Sequence, residues 1–417
     1  MKTLPGKYLV QSIFKHCFPD TMSISLVVFD SHPVQYRVPV WQAIEKETPG
    51  NIHVVYASDC SVRGHADKGF GQTFKWDDPM MEGYPHTVLN CEKGEPLSGA
   101  DSLTGEGVEE CFDRLKPQAV LLTGLNYKFD RVVYRHALKK RIPVWLRCET
   151  QDEALPRSFV KSLLRSFVYR RYYRNISKFF YIGALNRKHY LANGVPDSKL
   201  YKAYYATVDR FIALNEEEKR ALRKSARDHA AIADNKIVIG FSGKFIQKKN
   251  PSILFEMLAA LPEQIRQRVV LYFIGSGELQ KLLEGFATTA ENLYGVKTFF
   301  AGFVNQSELA RHYLAIDTLI LPSRRMGETW GLVANEAMQA GCSVIVSDAV
   351  GCHANFADWQ RFKIFKEGDS SELAKQVELL SVFDRDFNWA RHELTEYSIS
   401  AIAHSFIKEM STQKDKG

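Results

Sequence analysis

The chain has 417 residues, 55 Lys plus Arg against 48 Asp plus Glu, a net charge of +7, 45% hydrophobic and 12% aromatic residues. At roughly 100–200 residues per domain this is two to three domains with ample core, which excludes global disorder, a collagen-like repeat and a small disulfide scaffold. A pI near 8.8 is mildly basic and does not choose between nucleic acid, a membrane surface and no polyanion at all, so what matters is where the excess sits.

The seven cysteines are scattered and never form C-x-x-C, which excludes zinc-ribbon and thioredoxin readings and fits a reduced, cytoplasmic protein. No run approaches the roughly 18 uncharged apolar residues that a spanning helix needs. Residues 1–23 carry Lys2, Lys7, Lys15 and His16 without an apolar core, so they are a poor secretory signal and read as a disordered extension.

From Ser25 onward short apolar runs alternate with longer mixed segments, the pattern of a parallel α/β sheet. Strands are predicted at 24–30, 52–57, 119–123 and 144–147, with helices at 38–47 and 131–140. The Gly- and Pro-rich stretch 59–105 has no clear period and reads as an irregular insertion near a cleft. A second series begins at Lys236, with strands at 237–241, 269–274, 298–301, 318–321 and 343–347 and helices at 252–261 and 333–340. The chain thus divides into two doubly wound units, 24–210 and 211–395, followed by 396–417 with a final helix over 398–410. Facing units of this kind put the carboxyl ends of both sets of strands on one interdomain cleft.

The strongest chemical signal runs from Ile316 to Gly351, IDTLILPSRRMGETWGLVANEAMQAGCSVIVSDAVG. Glu328 and Glu336 stand either side of seven residues, just after a strand that ends at Leu321. A helix starting near Thr329 turns free N–H groups and a positive dipole end toward that loop, which suits a diphosphate. One carboxylate would then lie beside a sugar and the other, about two turns on, beside a ribose.

With Gly331, Ala337, Met338, Gly341 and Ser347-Asp348 in place, the segment resembles the E-x7-E signature of retaining, nucleotide-sugar-dependent glycosyltransferases of the GT-B fold, family 4. The resemblance implies an α/β fold of two facing Rossmann-like domains, an N-terminal acceptor domain and a C-terminal donor domain, with the last helix crossing back to the first. It implies transfer with retention, with Glu328 on the donor sugar, Glu336 on the ribose, and Gly243, Thr329, Trp330, Gly331 and Leu332 in the donor site.

Two further segments fit. Gly243 to Pro251 (GKFIQKKNP) follows a strand and resembles the family's G-[RK]-x4-K loop. A departing nucleoside diphosphate gains charge that fixed cations stabilise, and Lys244 and Lys249 are the candidates, Lys248 being read as a wet surface residue. Phe300 to Val304 is similar to the family's base-binding strand end, with backbone groups around Phe303 meeting the nucleobase. The LYFIGSG run lacks the third glycine of a dinucleotide fingerprint, position 280 being Gln280.

In the N-terminal half, Ser31 to Arg37, Phe70-Gly71 to Trp76-Asp77 and Arg147 to Thr150 look like bacterial surface-polysaccharide members. Many members carry a histidine after the later strand where this chain has Glu149, so the sugar contact passes to Glu149 or is lost. His32, with Gln35 in the same loop, is the competing cleft candidate, while Asn186 and the 194–196 turn are scaffold. Asp384-Arg385-Asp386 lies in a charged stretch and reads as a loop rather than a metal-binding D-x-D, so no essential metal and no cofactor beyond the nucleotide sugar are expected.

Between Arg157 and Lys178 there are seven basic residues and no acidic one: Arg157, Lys161, Arg165, Arg170, Arg171, Arg174 and Lys178, interleaved with aromatics. The other 395 residues carry 48 charges of each sign, so the whole net charge is this stripe. Arg157, Lys161 and Arg165 share one helix face, which suits an anionic membrane surface; a solvated helix with buried aromatics is the alternative, and no nucleic-acid module accompanies it. The expectation is a glycosyltransferase acting on a glycan or lipid-linked acceptor in surface-polysaccharide synthesis, peripheral on the inner face of the membrane. A catalytically idle, nucleotide-sugar-binding partner subunit and a nucleotide-sugar 2-epimerase are the alternatives.

Overall fold

The computed structural model describes residues 24–63, 65–67, 72–74, 78–93, 97 and 99–414. The 1–23 extension and the Phe70-Gly71 and Trp76-Asp77 matches lie outside the described residues.

The first sheet contains β1 (Leu26–Asp30), β2 (Ile52–Tyr56), β5 (His86–Val88), β6 (Ala119–Leu122), β7 (Val144–Leu146), β8 (Lys178–Tyr181) and β9 (Leu200–Lys202), in the order β5-β2-β1-β6-β7-β8-β9 and parallel throughout. The second contains β10 (Ile237–Ser242), β11 (Val269–Ile274), β12 (Lys297–Phe300), β13 (Thr318–Leu321), β14 (Ser343–Ser347) and β15 (Phe362–Phe365), in the order β12-β11-β10-β13-β14-β15, again parallel. A short antiparallel ribbon, β3 (His65–Asp67) with β4 (Gln72–Phe74), stands apart.

Every residue of β1, β2, β10, β11 and β14 is buried, because helices cover both faces of each sheet. That two-sided burial is why these strands read as unbroken apolar runs. The fold is therefore two Rossmann-like α/β units. Between them, Ile182 and Tyr205 of the first unit join Trp330, Phe356 and Tyr397 in one buried apolar cluster. At about 1.5–3 kcal/mol per buried large side chain, this shared core contributes far more to the domain contact than its scattered hydrogen bonds.

Three expectations need correction. The 59–105 stretch is not wholly irregular, since β5 within it joins the main sheet beside β2. The second predicted helix starts earlier, at Lys128, because the Asp130 carboxylate accepts from the Tyr127 N–H at 2.8 Å and closes a capping box. The 252–261 helix is a short α-turn, Ile253–Glu256, tightening into a 3-10 turn, Met257–Ala259, ahead of Pro262. The final helix, Ile399–Lys414, lies on the first unit, with Phe406 against Trp41 and Phe180 at ring distances of 6.0 and 4.2 Å.

Candidate functional site

Four loops at strand carboxyl ends build the site: 31–37 after β1, 147–154 after β7, 243–250 after β10 and 322–331 after β13. The two loops of the second unit are tied together, with the Arg324 N–H donating to the Lys248 carbonyl at 2.7 Å and the Arg324 guanidinium to Asn250 Oδ1 at 3.0 Å.

Glu328 lies in that seam. Its Oε2 sits 2.6 Å from Lys249 Nζ and 4.0 Å from Lys248 Nζ, and accepts from the Ser323 hydroxyl at 3.3 Å. Burial alone would raise its pKa, but Lys249 and then Lys248 outweigh it and hold the carboxyl below its ordinary range. Lys248 is thus not a wet surface residue: its ammonium donates to the Gly327 carbonyl at 3.1 Å and adds to the field on Glu328. Lys244 is half-buried on the same loop, whose first residue, Gly243, donates its N–H to the Ile274 carbonyl at 2.9 Å.

The loop enters the Leu332–Gln339 helix through Gly331, whose φ of 106° is left-handed and whose missing Cβ would lie 2.6 Å from Leu321 Cδ2. Only glycine fits both constraints. Trp330 is buried, its indole N–H donating to Asn335 Oδ1 at 2.9 Å, so its ring belongs to the core and only its backbone borders the loop. Thr329 faces the other domain.

Glu336, in the middle of that helix, is partly buried and accepts from the Tyr313 hydroxyl at 2.7 Å. Burial pushes its pKa from 4.5 up to about 7, with Tyr313 and Arg210 opposing. It shares a narrow slot of about 40 Å³ with Leu332 and Gln306 and, from the first domain, Gln35, Tyr36 and Arg210. Gln35 Oε1 is buried there without a hydrogen-bond partner. A slot of this size holds a few waters. Phe303 lies half-buried just beyond β12.

Glu149 meets the 322–331 loop from the first domain. Its Oε1 accepts from Tyr36 at 3.1 Å and from the Tyr205 hydroxyl, and its Oε2 from Thr329 at 3.4 Å. Burial and then the Glu149 charge push both phenols upward, so they stay protonated donors. Glu149 and Thr329 line a cavity of about 560 Å³ with Ser31, Arg37 and Asp130. His32 is not among its lining residues; its Nδ1 is 3.0 Å from the Ser31 hydroxyl. Burial raises Asp130 to about 6. The domains are also bridged by Gly327 N–H to the Ala154 carbonyl at 2.8 Å and Arg325 to the Glu153 carbonyl at 3.0 Å.

The basic stripe is a helix, Phe159–Tyr173, but not with the cationic outer face its spacing predicts. Arg165 turns inward to pair with Asp152 and lies 4.7 Å over the Tyr169 ring, Arg157 donates to the Asp152 and Leu155 carbonyls, and Lys178 pairs with Glu409 at 2.6 Å. Arg170 reaches the Ala192 carbonyl at 3.2 Å, while Lys161, Arg171 and Arg174 stay exposed. Among the described residues no group of three or more His, Cys, Asp or Glu is placed to hold a metal ion, and no helix is long and apolar enough to cross a membrane.

Sequence reasoning missed Tyr313, Tyr205 and Lys248 as partners of the three carboxylates. Ser323 and Tyr36 lay inside motifs already quoted, at strand ends, where a hydroxyl beside a carboxylate was a usable signal.

Comparison with known proteins agrees with this geometry. Residues 223–386 match the family model for glycosyl transferases group 1. The uncharacterized glycosyltransferase MJ1607 of Methanocaldococcus jannaschii is 31% identical over 140 residues, 34% of this chain and 33% of the relative. The D-inositol 3-phosphate glycosyltransferase of Geodermatophilus obscurus is 30% identical over 215 residues, 46% of each chain. The matched stretches thus span a third to a half of these relatives. Anabaena HepE in complex with UDP superposes with a TM-score of 0.68 over 94% of this chain and 100% of that one, at 16% identity. Sucrose-phosphate synthase from Thermosynechococcus elongatus does so at 0.65, over 94% and 100%, at 15% identity. The fold is GT-B, and the stretch that matches the group 1 glycosyl transferase model lies within its second unit.

Proposed function

We propose that the chain is a retaining glycosyltransferase of family 4, moving a sugar from a nucleotide sugar to a glycan or lipid-linked acceptor in cell-surface polysaccharide synthesis on the cytoplasmic side of the membrane. The observation that carries this reading is Glu328, a nearly buried carboxylate held ionised by Lys249 and Lys248 beside the start of the Leu332–Gln339 helix. As the bond from the anomeric carbon to the diphosphate oxygen breaks, negative charge grows on the diphosphate. Lys249, Lys244 and the unpaired N–H groups at the helix start are the groups available to stabilise it, a role this proposal does not give to a divalent cation.

Lys249 neutralises Glu328. On binding, the ammonium would be shared with the diphosphate, and Glu328 would be left to accept from sugar hydroxyls. Glu336 would accept from the ribose diol, and Glu149, oriented by Tyr36 and Tyr205, would close over the sugar from the acceptor side. A thermal-shift screen of nucleotide sugars tests this: one should stabilise wild type by mass action and fail to stabilise Glu336→Ala. An equal response from the variant would remove the ribose assignment.

One observation favours the idle partner subunit: both oxygens of Glu149 are already engaged by Tyr36, Tyr205 and Thr329. Slow donor hydrolysis without acceptor supports the enzyme, whereas donor binding with no turnover on any acceptor supports the partner.

A further inference from the structure

The Phe159–Tyr173 helix carries a dense exposed apolar surface. Phe159, Val160, Leu163, Leu164, Phe167 and Val168 are 50% to 81% exposed. Spaced at i, i+1, i+4, i+5, i+8 and i+9, they form one stripe. The opposite stripe faces the domain: Tyr173 is buried with its hydroxyl 3.0 Å from His189 Nε2, and Tyr172 packs edge-on to Tyr134 at 5.3 Å. The helix is therefore docked by its tyrosines and turns its aliphatic side chains outward. A contiguous apolar patch of this kind marks a contact surface.

Charge selects the partner. No Asp or Glu occurs from Arg157 to Lys178, and among the described residues Lys161, Arg171 and Arg174 make no ion pair. By helical angle Arg171 and Arg174 continue the apolar stripe at its C-terminal end, and Lys161 flanks it. A second copy of the chain would bring the same cations together with no acid on the helix to meet them, whereas anionic lipid supplies both phosphates and acyl chains. At 15 residues the helix is too short to span a bilayer, so it would lie in the interface.

The inner flank of the same helix borders the site. Arg165 and Tyr169, with Leu125, line both an outer groove of about 290 Å³ and the cavity of about 560 Å³ that reaches Glu149 and Thr329. We propose that the outer stripe of this helix seats in the headgroup layer of an anionic bilayer, and that the acceptor is the polar head of a membrane-borne amphiphile entering that cavity beside Arg165 and Tyr169. The acceptor half rests on the glycosyl-transfer reading; the docking half stands without it.

The full chain is floated with vesicles of phosphatidylcholine alone and of equal parts phosphatidylcholine and phosphatidylglycerol. Wild type is expected on the anionic vesicles; Leu163→Ser/Phe167→Ser should lose about a hundredfold in partition and Arg171→Ser/Arg174→Ser about tenfold or more. Lipids brominated in their acyl chains should quench a tryptophan introduced as Phe167→Trp, and lipids with a nitroxide on the headgroup one introduced as Leu155→Trp, which lines the cavity, while neither should quench Leu293→Trp, 67% exposed on the other domain. No binding by wild type, undiminished partition of the Leu163/Phe167 variant, or a solution dimer abolished by that variant overturns the docking. Quenching at Phe167→Trp without quenching at Leu155→Trp overturns the entry route. Nucleotide-sugar binding is followed in parallel without vesicles; its absence would defeat the cleft reading and leave the docking intact.

Discussion

Glu336→Gln separates the electrostatic cost of this carboxylate from its use. Burial raises the Glu336 pKa from 4.5 to about 7. At about 1.4 kcal/mol per pKa unit, ionising it in place costs about 3 kcal/mol. Between those two values the folded chain keeps a proton that the unfolded chain has released, so stability falls as pH rises from 4.5 and levels off above about 7. Glutamine keeps the acceptor for the Tyr313 hydroxyl, 2.7 Å away in wild type, and carries no charge to desolvate. The variant should match wild type near pH 4.5 and exceed it at about pH 8 by about 2–3 kcal/mol, or roughly 5–10 °C in the second unit. Calorimetry of nucleotide-free protein at the two pH values reads this directly. A gap that is the same at both, or a variant weaker at the higher pH, would refute the burial argument. The functional counterpart has the opposite slope: if ribose hydroxyls donate to the carboxylate, wild-type nucleotide affinity rises with pH toward 7, and that of the variant is low and flat.

Lys249→Met should cost about 3–5 kcal/mol by leaving Glu328 buried beside only the more distant Lys248, and adding Glu328→Gln should recover most of it in denaturant melts. Donor turnover should stay down by about 10²–10³ in the single and double variants, and recovery of turnover along with stability would show that the pair is only structural. His312, 2.7 Å from the Tyr272 hydroxyl, is lowered by burial from 6.5 to about 4, so stability should fall as pH drops below 6.5, the reverse of the Glu336 window. His312→Gln should make that acid limb shallower in melts, leaving the share of His53, which burial also lowers to about 4, and an unchanged limb would contradict the assignment. In Gly183→Ala the new Cβ would meet Trp330 Cζ3 at 2.2 Å and Asn355 Oδ1 at 2.9 Å. Overpacking across the domain contact should cost about 1–3 kcal/mol and open the cleft in small-angle scattering; an unchanged profile would mean the indole relocates freely.

The residues readable in advance are those whose role is set within one loop or one strand. β10, β11 and β14 declare themselves because a parallel strand covered on both faces must be apolar at every position. β5 does not, because His86-Thr87-Val88 is a three-residue edge strand whose pairing with β2 depends on the sheet already being there. The acidic groups divide in the same way. Glu328 and Lys249 face each other across two strand-end loops whose motifs could be read independently, so their meeting at 2.6 Å follows once the β10–β13 pairing is assumed.

The partners of Glu336 and Glu149 could not be read so, since Tyr313 lies on a neighbouring helix and Tyr205 on the crossing segment between the domains. The Phe159–Tyr173 helix shows why local reading can also mislead. Spacing identified a face holding Arg157, Lys161 and Arg165, yet a helix is oriented by what it packs against. Here the tyrosines at 169, 172 and 173 win that contact, because an aromatic body can bury while its hydroxyl finds a partner, as Tyr173 does at His189. Their docking rotates Arg165 onto Asp152 and leaves Leu163, Leu164 and Phe167 in water. The net charge of +7 resides in this one stretch, but charge supplies only the rim of the surface and the aliphatic stripe its centre. High salt should therefore weaken membrane binding without abolishing it.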